Sequence, residues 1–175
     1  MSIAGWILLA VVGLPLLALG RGWLELRRSA AAARASLASL RVDDVARLVA
    51  EGEAVLRDRL DVTLASEPAE AAQQLDTLVR SPRIKDAFAR EGLYWHFVQP
   101  LGALAGELVR RAGQARWEDD ASGGSGPVLR VTLPDGRELT ARPFERVLRH
   151  RQEGRPGALR DYLLFAAGRF EKPAA

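Results

Sequence analysis

The chain has 175 residues, with 25 Lys and Arg against 22 Asp and Glu for a formal charge of +3, and it has no cysteine. The missing cysteines exclude a disulfide framework, a thiolate nucleophile and any Cys-based zinc site, and the length leaves room for one modest domain or two small ones. Acids and bases are interleaved rather than blocked, so the pI of ≈ 9.9 is weak support for a nucleic-acid partner, and none is expected.

From Met1 to Gly20 no side chain is charged. About twenty helical residues rise roughly 30 Å, the thickness of a hydrocarbon core. Trp6 and Trp23 would stand about 25 Å apart on such a helix, at the two headgroup levels, and Pro15 would kink it. Residues 1–24 are therefore expected to form a transmembrane anchor. The alternative is a signal sequence cut after Gly20, where Ala18-Leu19-Gly20 offers small residues, although no Lys or Arg precedes the apolar run. Arg21, Arg27 and Arg28 follow the run and suit contact with anionic lipid. Their position puts the bulk of the chain on the cytoplasmic side of an inner (plasma) membrane, and the export alternative puts it in the periplasm.

Residues 25–41 read as an Ala/Arg-rich juxtamembrane helix, and 42–117 as a small helical bundle. Asp43 and Asp44 suit a helix start, and Val45, Leu48, Val49, Val55, Leu56 and Leu60 then keep a helical spacing between charges. Ser66 before Glu67-Pro68, and Ser81 before Pro82, mark two further starts, with proline where its missing donor costs nothing. The pattern stays helical to about residue 116. Within it, "GLYWHFVQPLGALAGELV" (92–109) is the second most apolar stretch, interrupted by His96, Gln99, Pro100 and Glu107 and so unsuited to a second span. It reads first as the central core helix of the bundle. The aromatic cluster Tyr94, Trp95 and Phe97 gives the alternative of a partner interface.

Residues 118–127, "EDDASGGSGP", read as a flexible acidic Gly/Ser linker; Gly123, Gly124 and Gly126 lack the Lys-Ser/Thr pair of a phosphate loop. Beyond it, Leu129, Val131 and Leu133 alternate with Arg130 and Thr132, and Pro134-Asp135-Gly136 is turn chemistry, so a β-hairpin is predicted. A lone hairpin is marginal in water and needs a support. Phe144, Val147 and Leu148, then Leu159, Tyr162, Leu163, Ala166 and Phe170, form the apolar stripes of two helices able to supply it, giving a ββαα unit over 128–175. The expected fold is mainly α within the α+β class: an N-terminal transmembrane helix, a small helical bundle, and a C-terminal β-hairpin packed with two helices.

Chemistry-bearing patterns are sparse. His96 and His150 are the two histidines and have no metal-ligand spacing; His96 sits among aromatics, and His150, between Arg149 and Arg151, reads as a surface residue near a helix end. Asp119 and Asp120 are adjacent and so diverge on most backbones. No catalytic residue, cofactor or metal site is expected. Arg142, Arg146 and Arg149 fall on adjoining positions of a helix, a basic face able to meet phosphates or acids. The function expected from these features is a single-pass membrane-anchored adaptor or accessory subunit of a membrane complex, with the bilayer and a protein as partners. The alternatives are an exported sensor or ligand-binding domain with a pocket between bundle and hairpin, and a membrane-associated enzyme whose site leaves no motif.

Overall fold

The computed structural model describes residues 31–87, 96–122, 124 and 126–168. Residues 31–38 are helical and a 3-10 turn spans Val42–Asp44. Six further helices and three strands follow: α1 (Val45–Leu60), α2 (Pro68–Arg80), α3 (Arg83–Ala87), α4 (Val98–Ala112), β1 (Gln114–Glu118), β2 (Val128–Thr132), β3 (Glu138–Ala141), α5 (Pro143–Glu153) and α6 (Ala158–Ala166).

The central element is α4, which packs against α1, α2, α5, α6 and β1. It can do so because it is lined on most sides by small or apolar residues: Val98, Pro100, Leu101, Gly102, Ala103, Leu104, Ala105, Gly106 and Val109 are buried. Two of its glycines set how closely the C-terminal elements approach. A Cβ at Gly102 would meet Phe144 at 2.5 Å, and one at Gly106 would fall inside the Trp117 indole. The two aromatics thus lie against the α4 backbone itself, with their ring centroids 5.9 Å apart.

The sheet is antiparallel in the order β1-β2-β3. Leu129 pairs with Trp117 on one side and Ala141 on the other, and Val131 with Ala115 and Leu139. Alternation along each strand turns these residues to the helices and leaves Arg116, Glu118, Arg130, Glu138 and Thr140 on the other face. Arg116 lies directly opposite Arg130, a repulsive cross-strand pair that Glu118 relieves by accepting from both, at 2.8 and 3.1 Å.

The predicted hairpin is β2–β3, its turn closed by Gly136 N–H donating to the Leu133 carbonyl at 2.9 Å. The predicted helix at Val45–Leu60 and the two C-terminal helices are likewise present, with Phe144, Val147, Leu148, Leu159 and Leu163 buried. Helical structure does not run to residue 116: α4 ends at Ala112, and Gln114–Glu118 is a third strand. Glu118 closes β1 and Val128, its partner across the ladder, opens β2, and among the described residues one hydrophobic cluster runs from Ala33 through α4 to Ala166. Ala33, Leu37 and Leu40 belong to that core, so this part of the predicted juxtamembrane helix is packed onto the domain.

Among the described residues no helix is long and apolar enough to cross a membrane. The longest helix given above, α1, has 16 residues and is charged along one side. The expectation of a single-pass, membrane-anchored adaptor is corrected accordingly: the described chain is a small α+β domain with its own core. The stretch 1–24 on which the anchor reading rests, with Trp6, Pro15, Arg21 and Trp23, lies outside the described residues, as do Arg27 and Arg28.

Candidate functional site

Helix α5 contributes to two polar groups that adjoin each other, since His150 follows Arg146 by one helical turn. Its inner side holds His150, and its outer side holds the row Arg142, Arg146 and Arg149.

The inner group centres on Asp76 of α2, fully buried. The loop before α6 turns at Gly157, whose φ of 78° lets the chain present successive N–H groups to one point. Asp76 Oδ2 accepts from Gly157 N–H at 3.1 Å, and Oδ1 from Leu159 and Arg160 N–H at 3.0 and 3.3 Å. Asp76 thereby caps α6 from another helix. His150 Nε2 lies 3.2 Å from Asp76 Oδ1 and 3.3 Å from its carbonyl, while Nδ1 is buried without a partner. These partners assign the proton to Nε2, so that only an acceptor lone pair stays unmatched. Burial opposes charge on both groups. For Asp76 the Gly157, Arg160 and Leu159 N–H donors and the His150 charge outweigh burial and hold the carboxyl below its ordinary value; for His150 burial prevails and lowers the pKa. His150 is therefore not the predicted surface residue: α5 turns it inward, where Asp76 offers an acceptor. Neither of the two recesses described below has Asp76 or His150 in its lining. It is a structural clamp between α2, α5 and α6.

The outer group surrounds an open recess of ≈ 280 Å³ lined by Thr140, Arg142, Glu145, Arg146, Arg149 and Tyr162. Strand β3 delivers Thr140, α6 delivers Tyr162, and the N-cap and following turns of α5 deliver the three arginines. The predicted basic face is thus gathered around one concave surface. Tyr162 Oη accepts the Arg142 backbone N–H at 2.7 Å, and Thr140 Oγ1 accepts from Arg130 Nη1 at 2.6 Å. With an acceptor position filled on each oxygen, each hydroxyl keeps its own proton to donate. Burial raises the Tyr162 pKa, keeping the phenol protonated. Arg146 stacks over the Tyr162 ring, 5.3 Å from its centroid, and donates through Nη2 to the Ala158 carbonyl at 2.9 Å; its Nε is buried with no hydrogen-bond partner. Arg149 reaches Glu145 at 3.2 Å, and Arg142 Nη1 reaches Asp120 at 2.6 Å.

A second recess, of ≈ 230 Å³, lies between the end of α1, residues 62–65 and α4. Its charges neutralise one another: Arg111 meets both Glu107 and Glu53, and Arg57 meets Asp58. It offers no surplus of either sign. Phe97, expected in a partner interface, is buried at the start of α4 with the Arg151 guanidinium 5.9 Å from its ring centre, so it belongs to the core; Tyr94 and Trp95 lie outside the described residues. His96 is half-buried, and among the described residues no group of three or more His, Cys, Asp or Glu could hold a metal ion.

Sequence reasoning found the three arginines but not Thr140, Tyr162 or Asp120. Tyr162 lay hidden in an apolar stripe, although a tyrosine there carries a hydroxyl that needs a partner. In comparison with known proteins, the chain matches no family model, no curated protein and no solved structure.

Proposed function

We propose that this domain binds oxyanions of the phosphate type in the recess between β3, α5 and α6, as a recognition module and not as a catalyst. The observation that carries the reading is the excess of donors around the recess: three guanidiniums and two hydroxyls whose oxygens already accept from the protein, against two carboxylates, Glu145 in the lining and Asp120 on Arg142 at its edge. Phosphate presents more acceptor positions than a carboxylate and matches planar guanidinium groups in pairs. Buried Asp76 and His150 supply no accessible acid or base to act on a bound group.

The test is a titration of the full chain with inorganic phosphate, followed by amide NMR at constant ionic strength with acetate as the control. Saturating shifts at Thr140, Arg142, Arg146 and Tyr162 with phosphate, and weaker ones with acetate, support the reading. Arg146→Ala is expected to weaken phosphate binding roughly tenfold or more, since a hydrogen bond between charged groups contributes about 1.5–3 kcal/mol. Shifts that grow linearly with any added salt refute it. A soluble phosphomonoester and a lipid headgroup share this chemistry. Titration with a sugar phosphate, beside co-sedimentation with phosphatidylcholine vesicles containing or lacking phosphatidic acid, separates the two sources.

A further inference from the structure

The second residue of the loop between β1 and β2 is a carboxylate that meets an arginine of the recess. Asp120 has a side chain only 8% exposed, and its Oδ2 sits 2.6 Å from Arg142 Nη1. The hydroxyl of Ser122 donates to both carboxylate oxygens, at 2.8 and 2.7 Å, and the Ser122 N–H donates to Oδ1 at 3.1 Å. One residue earlier, Asp119 Oδ1 accepts the Val42 N–H at 2.9 Å, which ties the same loop to the 3-10 turn before α1. The segment that composition marks as a linker thus delivers one acid to the domain's N-terminal side and the next to an arginine of the recess.

We infer that Asp120 is a built-in competitor for the recess: it holds the guanidinium edge of Arg142 that an incoming oxyanion needs, and binding displaces it. The inference rests on the oxyanion reading above and adds its regulation. Two anions on one guanidinium repel each other across a few ångströms of partly desolvated space, so the oxyanion and Asp120 cannot both keep a full grip. Ser122 and then Arg142 hold the Asp120 pKa below its ordinary value, so the competitor carries its charge at neutral pH. Release of Asp120 frees its end of the loop, and through Asp119 the binding event reaches the turn at Val42.

The test is isothermal titration of the full chain with inorganic phosphate, comparing the natural sequence with Asp120→Asn and Asp119→Asn. Removing a competing contact worth about 1–1.4 kcal/mol corresponds to a roughly five- to tenfold tighter Kd for Asp120→Asn. Asp119→Asn removes the same charge one residue away, from a carboxylate that does not touch Arg142, and is expected to change Kd less than about twofold. A Kd for Asp120→Asn that is unchanged or weaker, with the natural chain binding phosphate, overturns the inference and makes Asp120 a support for Arg142. Equal tightening in both variants also overturns it, as a general field effect. Phosphate binding by neither the natural chain nor Asp120→Asn defeats the oxyanion reading, and the inference with it. A second readout needs no variant: the carboxyl carbon of Asp120 in the natural chain is expected to titrate at higher pH when phosphate is saturating. An unmoved titration at saturation counts against displacement.

Discussion

Helix α5 meets acids in two adjoining groups, one turned inward and one outward, and the two are organised on opposite principles. Inward, one carboxylate, Asp76, is surrounded by donors that match it: three backbone N–H groups, His150 and, at 3.3 Å, Arg80. Outward, three guanidiniums and two hydroxyls face the two carboxylates Glu145 and Asp120 across an open surface. A group that is closed off and internally matched contributes stability and has nothing left for a ligand. A group left partly exposed with donors in surplus contributes little stability and keeps its capacity to bind.

Substitution at Asp76 should separate the two sides most sharply. Asp76→Ala strips the cap from α6 and leaves several donors buried and unmatched, which is expected to cost about 3–4 kcal/mol in a urea unfolding curve. Phosphate affinity of the molecules that remain folded should be close to that of the natural chain. A loss below about 1 kcal/mol would mean that the clamp is not what holds α6 in place.

A smaller effect comes from pH. His150 has an ordinary pKa of 6.5, lowered in the folded chain by burial. The unfolded chain therefore takes up this proton first as pH falls, so the contribution of neutral His150 is complete above about pH 6.5 and is lost progressively below it, toward the folded value. Between pH 7.5 and 5.5 the natural chain should lose stability, and His150→Gln should lose less of it. Parallel pH profiles for the two chains would show that the pair does not titrate on unfolding. The smallest effect is expected on the outer side. Arg149 and Glu145 are 54% and 40% exposed, so Arg149→Ala should shift stability by no more than about 0.5 kcal/mol while weakening phosphate binding.

The same division explains what the sequence allowed one to read. The hairpin was legible because Pro134-Asp135-Gly136 and the alternation around it are local signals, and α1 and α6 because their apolar spacing is periodic. Strand β1 was not: "QARWE" has its partner fourteen or so residues on, across an acidic loop, and only pairing with β2 makes it a strand. The arginine row was legible as a helical spacing, but the hydroxyls that complete the recess come from β3 and α6. His150 was misjudged because its arginine neighbours suggest a surface, whereas its environment is set by a residue 74 positions earlier. The adjacent acids of the loop diverge as expected, one to Val42 and one to Arg142, yet their destinations were beyond any local pattern.

The Asp76 cap also bears on how the chain is made. Its three backbone donors come from residues 81 to 84 positions later, at the N-cap and first turn of α6. While a ribosome is still adding those residues, α2 has emerged with a carboxylate whose partners do not yet exist, and α4 lacks the aromatic rings of β1 and α5 that fill its glycine grooves. Contacts of such long sequence separation close late. Folding of this domain accordingly waits for residues 157–160, and a nascent chain stopped before Gly157 exposes the apolar surfaces that chaperones bind.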